Sequence, residues 1–306
     1  GAIGGTIPDF DNLIGQFFDT VSRLEMHRGF SHSIVFAILI APLLGAIVSR
    51  WYKGKEAGFW QWTQLFFWSV FTHPLLDSFT TWGTQLLWPM EWRIAIQSIF
   101  VIDPLYTLPF LICLITVLFL KRKSPKRKMV NHFGLLVSSV YLLYTVGVKL
   151  YVNQVFETAL KEEAFSYKRF ESRPTPLNTF LWTSNIERES DFLITHYSLF
   201  DQSKKLQYRS FAKNEHLLLP YRNNPQVERL LFLTKGYYTL EEIEGGIAMN
   251  DLRFGLLDGF DEKNSDFVFT YFLKESEGEL VVEQKPRTFQ GAEDLLKRLL
   301  ERIFMG

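Results

Sequence analysis

Long apolar stretches bounded by charged residues constrain the fold of this chain more than any other feature. Before residue 152 the sequence offers four of them, each near the roughly 20 apolar residues that cross a bilayer. They predict membrane spans at residues 33–49, 60–79, 99–120 and 132–151. A large soluble helical core is the alternative, and several apolar runs of this length in succession disfavour it.

Charge divides the chain into two halves. Residues 1–152 contain 13 Lys/Arg and 8 Asp/Glu, which leaves 20 and 25 of the 33 of each kind for residues 153–306. We therefore predict an α-helical polytopic membrane domain over 1–152 and a soluble, β-rich α+β domain over 153–306. Because the first residues resemble the end of an apolar helix, we expect four complete spans and a fifth, truncated one.

The C-terminal half contains short runs rich in Phe, Tyr, Leu and Val, separated by turn residues. These runs predict antiparallel strands, among them residues 179–186, 191–200 and 229–240. Leucines at helical spacing predict an amphipathic helix over residues 290–304.

Basic residues predict the orientation in the membrane. Six Lys/Arg lie between residues 121 and 128, and Arg50, Lys53 and Lys55 lie on the same side of the predicted topology. The positive-inside rule assigns this side to the cytoplasm, so the C-terminal domain would be extracytoplasmic. A nucleic-acid patch is the alternative for the basic run, but its position between two spans and the net charge of zero disfavour it.

Ionisable residues collect at the extracytoplasmic ends of the predicted spans. Charged residues at such positions are costly and usually functional. The candidate ligands are Asp9, Asp11, His27, His32, His73, Asp77 and Asp103.

The spacing of these residues suits a metal site. His73 and Asp77 are four apart and share a helix face, and Gly29 allows a tight turn between His27 and His32. Imidazole with carboxylate favours one or two divalent ions, with zinc preferred and manganese or iron as alternatives. Two bridged ions, or one ion with further carboxylates that orient the histidines, remain open.

Each motif also has a simpler explanation. A DxD pattern can cap a helix, and an HxxxD pair can be an ordinary hydrogen bond. Arg28 lies between the candidate ligands and would contact a phosphate or form a salt bridge to a site carboxylate. Asp11 and Asp77 are candidate general bases. His132 is predicted not to be a ligand.

The motifs PDFD, HRGFSHS, HPLLDSFTTWGTQLLWP and IDPLYT, followed by PTPLNTFLW, cover about residues 1–182. In order and combination they resemble a family of bacterial predicted inner-membrane, metal-dependent hydrolases, the YdjM-like proteins, some of which are described as LexA-binding. The resemblance implies metal-dependent hydrolysis at the bacterial inner membrane without supplying a substrate.

The sequence therefore predicts a multi-pass inner-membrane hydrolase whose metal lowers the pKa of a water molecule for attack on a phosphoester. A site at the lipid–water boundary favours an amphiphilic or lipid-linked substrate. Two alternatives are a non-catalytic scaffold or regulator with a structural metal, and an ion-coupled transporter. His196 and His216 are predicted to lie on the surface of the soluble domain.

Overall fold

A computed structural model of the chain describes residues 1–52, 57–203, 205–259, 266–276, 278–286 and 292–305. Lys53 and Lys55 of the predicted basic loop, and residues 290–291 of the predicted C-terminal helix, lie outside these ranges. The chain forms two compact units. The first unit contains residues 1–96, 215–251 and 269–286, and the second contains residues 97–214, 252–268 and 287–306.

The secondary structure begins with helices and continues as two groups of strands. The helices are α1 (Ala2–Thr6), α2 (Asp11–Gly15), α3 (Thr20–Met26), α4 (Ile34–Trp51), α5 (Phe59–Asp77), α6 (Pro104–Phe119), α7 (Pro125–Glu162), α8 (Pro225–Leu233) and α9 (Ala292–Met305). The strands are β1 (Arg169–Pro174), β2 (Leu181–Glu187), β3 (Asp191–Ser198), β4 (Tyr208–Ala212), β5 (Tyr238–Ile243), β6 (Gly246–Asp251), β7 (Thr270–Ser276) and β8 (Glu279–Gln284).

The first unit combines α1–α5 with α8 and an antiparallel sheet of order β5-β6-β7-β8. Helix α4 packs against α5, and Gly45 of α4 lies so close to Thr63 that a Cβ atom would clash with its hydroxyl and backbone. Helix α3 packs against α8 and β8, where Val21 and Leu24 join the core beneath the sheet. This core fixes the helix that leads directly into His27.

The second unit contains α6, α7, α9 and an antiparallel sheet of order β1-β2-β3-β4. The C-terminal part of α7 buries Val152 and Phe156 against Trp182 and Tyr197 of this sheet. Helix α9 covers Leu181 with two side chains of its apolar face, Leu299 and Ile303. The proposed sequence boundary at residue 152 lies within α7 and stays a prediction.

The prediction of a polytopic membrane domain with four complete spans and a truncated fifth is wrong. Within the described residues, only α4 and α7 are long and apolar enough to cross a membrane. Helix α5 has 19 residues, but polar side chains such as Gln61 and Gln64 lower its mean hydropathy. Helix α6 is apolar but has 16 residues, fewer than the roughly 20 that a span requires.

One strand prediction is also wrong, because residues 229–233 belong to α8 rather than to a strand. Asn224 caps this helix by accepting a hydrogen bond from the Gln226 backbone, and Pro225 occupies its first turn. The buried side chains Val227, Leu230 and Leu233 recur every three residues. Helical packing against the core therefore outweighs the strand propensity of this apolar run.

Candidate metal centre

Three short segments of the first unit bring six of the predicted ligands together. Each segment ends or begins a helix, where the backbone changes direction and side chains can converge. The six residues are Asp9 in a 3-10 turn (Pro8–Phe10), Asp11 at the start of α2, His27 directly after α3, His32 at the end of a 3-10 turn (Phe30–His32), and His73 and Asp77 in the last turns of α5.

The turn between the two N-terminal histidines has a constrained backbone. Arg28 adopts a φ of 60°, in the left-handed region that few residues other than glycine occupy. At Gly29, a Cβ atom would lie 3.0 Å from the carbonyl oxygen of Met26. Arg93 donates hydrogen bonds to the carbonyl of His27 at 2.9 Å and that of Glu25 at 2.7 Å. The turn is thus held from outside, which fixes the direction of both imidazoles.

The end of α5 supplies the second pair. Helix α5 continues through Pro74 to Asp77, and His73 and Asp77 lie on one face as their spacing predicts. Nε2 of His73 is 3.4 Å from Oδ2 of Asp77. The helix ends immediately afterwards, where Thr80 donates from its hydroxyl to the Asp77 carbonyl at 2.8 Å.

Four side-chain atoms lie close together between these segments, with each histidine nitrogen near one oxygen of Asp9 and one of Asp77. Nε2 of His32 lies 3.5 Å from Oδ1 of Asp9 and 3.5 Å from Oδ2 of Asp77. Nε2 of His73 lies 3.5 Å from Oδ1 of Asp9 and 3.4 Å from Oδ2 of Asp77. These separations are long for hydrogen bonds, but they resemble the roughly 3.3–3.4 Å between neighbouring ligands of one zinc ion with bonds of about 2.0–2.1 Å.

Two of these atoms are buried without a hydrogen-bond partner among the described residues, namely His32 Nε2 and Asp77 Oδ2. His32 is fully buried, and leaving such groups unsatisfied costs about 1–3 kcal/mol each. A cation between them would satisfy both atoms. The donor set of imidazole nitrogens and carboxylate oxygens therefore fits a divalent ion such as zinc.

Asp11 orients the histidines from behind. Its Oδ2 accepts hydrogen bonds from the Ser31 hydroxyl at 2.8 Å and the Arg28 backbone N–H at 3.1 Å, and it lies 3.2 Å from Nδ1 of His32. Its Oδ1 is 3.1 Å from Nδ1 of His27. Nδ1 of His32 is also 3.0 Å from the Ser31 hydroxyl, and when Nδ1–H faces Ser31 and Asp11, the lone pair on Nε2 faces Asp9 and Asp77. This arrangement matches the carboxylate–histidine pairs that orient metal ligands.

A second group of possible ligands overlaps the first. One ligand atom from each of Asp9, Asp11 and His27 lies within 4.8 Å of the others, as do those of Asp9, His32 and His73. Asp9 belongs to both groups, and its side chain is 48% exposed whereas those of His32 and Asp11 are buried. Shared carboxylates bridge the ions of two-metal sites. The geometry thus accommodates either one ion or two ions bridged by Asp9.

Arg28 is buried beside this cluster. Its Nη2 forms an ion pair with Oδ1 of Asp77 at 3.2 Å, and its Nη1 donates to the Thr80 hydroxyl at 2.7 Å. Nε of Arg28 has no hydrogen-bond partner among the described residues. Burial lowers the pKa of this guanidinium, and the Asp77, Asp9 and Asp11 carboxylates act in the opposite direction. Of the two roles predicted for Arg28, the salt bridge is present in this structure.

The carboxylates stabilise positive charge on the histidines. Burial opposes the charged form of His73, but Asp77 and Asp9 outweigh it and raise the pKa of His73 to about 9. Burial also opposes charge on His32, and the nearby carboxylates of Asp11 and Asp9 raise its pKa above the usual value. The pocket therefore favours cations at the imidazole positions, and metal binding there would displace protons.

The histidines in turn stabilise negative charge on the carboxylates. The imidazoles of His32 and then of His73 hold the pKa of Asp9 far below its usual range. Burial raises the pKa of Asp11, but hydrogen bonds from His27 and His32 outweigh burial and lower it. Both carboxylates are therefore ionised at neutral pH, the form in which they bind metals.

Asp103 belongs to the second compact unit, and its predicted role as a ligand stays a prediction. There Asp103 caps α6, accepting hydrogen bonds from the backbone N–H groups of Leu105 at 2.8 Å and Tyr106 at 3.3 Å. Its other carboxylate oxygen accepts from the Tyr141 hydroxyl at 3.0 Å. These contacts account for its burial as a helix cap.

The remaining predicted histidines lie elsewhere. His132 is exposed on α7 in the second unit. His216 is exposed, which confirms its predicted surface position, whereas His196 on β3 is half-buried. Two polar residues at the centre were not predicted, Ser31 and Thr80. Their positions inside HRGFSH and three residues after Asp77 were the available signals, but hydroxyls are too common at helix ends to single out.

The chain belongs to the YdjM inner membrane protein family, whose family model matches residues 1–153. All six converging residues lie within this matched half. The protein is accordingly a bacterial inner-membrane protein.

The chain is also similar to two curated relatives. The chain is 35% identical over 92 residues to inner membrane protein YbcI of Escherichia coli (strain K12), covering 30% of this chain and 51% of the relative. It is 29% identical over 103 residues to the uncharacterized protein YfhP of Bacillus subtilis (strain 168), covering 33% of this chain and 30% of the relative. The chain thus spans about half or less of each relative's length. No solved structure matches significantly.

Proposed function

We propose that this protein is a membrane-bound, metal-dependent hydrolase that cleaves a phosphoester. The observation that carries the proposal is the pair of buried atoms without hydrogen-bond partners among the described residues, His32 Nε2 and Asp77 Oδ2, 3.5 Å apart. Asp9 and His73 complete the set of ligands. An ion held there would act as a Lewis acid and activate water for hydrolysis.

The surrounding residues have separable roles in this proposal. Asp11 positions His32 and His27, and its many hydrogen bonds make it a poor general base. Arg28 stabilises negative charge and is the proposed contact for a phosphate oxygen, through a guanidinium already directed at the cluster by Asp77. Asp9 is the most exposed of these carboxylates, so substrate and water would approach the cluster from its side.

A structural ion in a non-catalytic scaffold is the second candidate. Four protein ligands would favour it, because structural zinc sites are closed by protein. The exposure of Asp9 and the overlapping group with His27 favour an open, catalytic site instead. The two candidates differ in whether an ion-loaded protein turns over substrate.

We further propose that the cluster faces the extracytoplasmic side of the inner membrane. His32 precedes the candidate span α4, whereas Arg50 lies at its other end. The basic run at residues 121–128 ends in the first turn of the candidate span α7. Basic residues favour the cytoplasmic ends of spans, which supports this orientation.

The test is hydrolysis of bis(p-nitrophenyl) phosphate and p-nitrophenyl phosphate by detergent-purified protein loaded with zinc or manganese. The wild type should be active, and the double variant His73→Ala/Asp77→Ala should lose activity. The matched control His132→Ala alters an exposed histidine outside the cluster and should remain active. A stoichiometrically loaded wild type that hydrolyses neither compound would support the structural-metal alternative.

A further inference from the structure

A cleft with a volume of about 910 Å³ opens in the first unit beside the cluster. Asp11 and Ser31, which orient His32, form part of its wall. The cleft therefore borders the proposed site at the residues that orient His32. Most of the remaining wall is apolar, and its main side chains are Ile7, Phe10, Ile14, Phe30, Trp88 and Phe232.

The size and lining of this cleft suit a small amphiphile. Binding sites for small molecules typically measure about 300–1,000 Å³ and combine apolar walls with a few polar groups. Here the polar groups include Asp11 and Ser31 at the cluster, and Arg93 and Arg229 with acidic neighbours. Arg229 is paired with Glu25 at 2.5 Å and Arg93 holds the carbonyls that follow α3. Both arginines are already engaged by protein groups, so a ligand would mainly contact the apolar wall.

One edge of the cleft belongs to a run of exposed apolar side chains. Ile14 is 52% exposed, and its neighbours Leu13, Phe17 and Phe18 are 57%, 87% and 53% exposed. A run of exposed large apolar side chains marks an interaction surface, commonly a membrane. Membership of an inner-membrane family favours lipid as the surface that this segment meets.

We propose that the cleft binds one hydrocarbon chain of an amphiphilic phosphoester, which enters from the lipid across α2. The phosphate head group then lies at the Asp11 end, where the overlapping group of Asp9, Asp11 and His27 would hold an ion that neutralises the carboxylates. This inference rests on the proposed function, because it names the substrate class of the same site. A peptide segment of another protein is the competing occupant, and the test below separates the two.

The experiment measures binding of n-alkyl phosphonates with four to ten carbons, which resist hydrolysis. Isothermal titration uses the metal-loaded protein in an amphipathic polymer, with each phosphonate below its micelle concentration. Full burial of one methylene gives about 0.8 kcal/mol, which corresponds to a fourfold change in Kd. We expect the Kd to fall at least about twofold for each added methylene.

Two substitutions on α2 locate the effect. Ile14→Trp fills the cleft and should remove most of the dependence on chain length. Leu13→Trp places the same side chain on the neighbouring exposed position, which does not line the cleft, and should retain the wild-type dependence. The wild-type series stands by itself if Ile14→Trp does not fold.

Several results would overturn the inference. A Kd that does not change with chain length excludes an acyl-chain site, and equal effects of Ile14→Trp and Leu13→Trp indicate unspecific partitioning. Either result leaves the proposed function intact if the p-nitrophenyl esters are still hydrolysed. Failure of that hydrolysis with a preserved chain-length dependence would instead refute the proposed function and keep the lipid-binding cleft.

Discussion

Replacing Asp11 by asparagine tests the division between residues that hold the ion and residues that orient them. Asp11 is 7% exposed and surrounded by four donors, from His27, Arg28, Ser31 and His32. Asparagine keeps the size of the side chain but removes its charge. Its NH₂ group would then face groups that are themselves hydrogen-bond donors. At least one hydrogen bond is then lost, and His32 loses one of the two partners, Asp11 and Ser31, that fix its ring.

The expected magnitude follows from this role. Loss of a residue that orients a metal ligand typically weakens metal affinity by about 10–100-fold, equivalent to about 1.4–2.7 kcal/mol. A directly bound ligand should cost more, so Asp77→Asn is expected to weaken affinity beyond this range. The affinity is measured by competition with a chromophoric chelator, with zinc and with manganese.

The control for this experiment is Asp19→Asn. Asp19 is also a carboxylate at a helix start, where it accepts from the Ser22 backbone at 2.9 Å, but it lies outside the cluster. Because asparagine caps helices about as well as aspartate, its replacement should leave both folding and metal affinity nearly unchanged. Wild-type affinity in Asp11→Asn, or a complete loss of binding equal to that of Asp77→Asn, would refute the orienting role.

Three further predictions concern other parts of the chain. Arg28→Lys should keep the bound metal but lower phosphoester turnover by about 10²-fold or more, since lysine cannot contact Asp77 and Thr80 together. Metal content and kcat are measured in parallel. Gly45→Leu should separate α4 from α5 and lower the thermal midpoint of unfolding, because no side chain fits against the neighbouring helix. Burial, assisted by nearby arginines, lowers the pKa of His196 to about 3. Between about pH 6.5 and 3, the unfolded chain therefore binds a proton at this histidine that the folded chain does not bind. Stability should therefore decrease by on the order of a few kcal/mol as the pH falls from about 6.5 toward 3, and denaturant unfolding of His196→Gln should show a smaller decrease.

Each of these predictions has a result that contradicts it. Unchanged turnover in Arg28→Lys would mean that the guanidinium serves only the salt bridge. Gly147→Ala on α7 is the control for Gly45→Leu, because a Cβ atom there meets nothing within 4 Å. Equal destabilisation by both would argue against close packing at Gly45. An identical pH dependence in wild type and His196→Gln would show that other groups dominate acid unfolding.

The sequence predicted the converging side chains better than it predicted the spans. The proximity of His73 and Asp77 was predictable because a helix places residues four apart on one face, whatever surrounds it. The meeting of Asp9 with His32 depends on packing between distant segments, which spacing cannot specify. Asp11 was taken for a ligand or base, and only its contacts with four donors distinguish an orienting role.

The errors in the fold have a common physical cause. Apolar runs of similar length serve as lipid-facing spans or as helices packed against protein, and length alone does not separate them. Helix α5 mixes aromatic residues with glutamines, and α8 uses an apolar run that resembles a strand. The strands of the C-terminal half were predictable from their turn residues. It was not predictable that residues 215–251 and 269–286 of this half join residues 1–96 in one compact unit.

The metal content of the purified protein tests the central claim most directly. Elemental analysis of detergent-purified wild type, beside His73→Ala/Asp77→Ala and the control His132→Ala, gives the number of ions per chain. We predict one or two equivalents of zinc, manganese or iron in the wild type and in His132→Ala, and loss in the double variant. Folded wild type that binds none of these metals after reconstitution would contradict the account, and the cluster would then be a network of ion pairs.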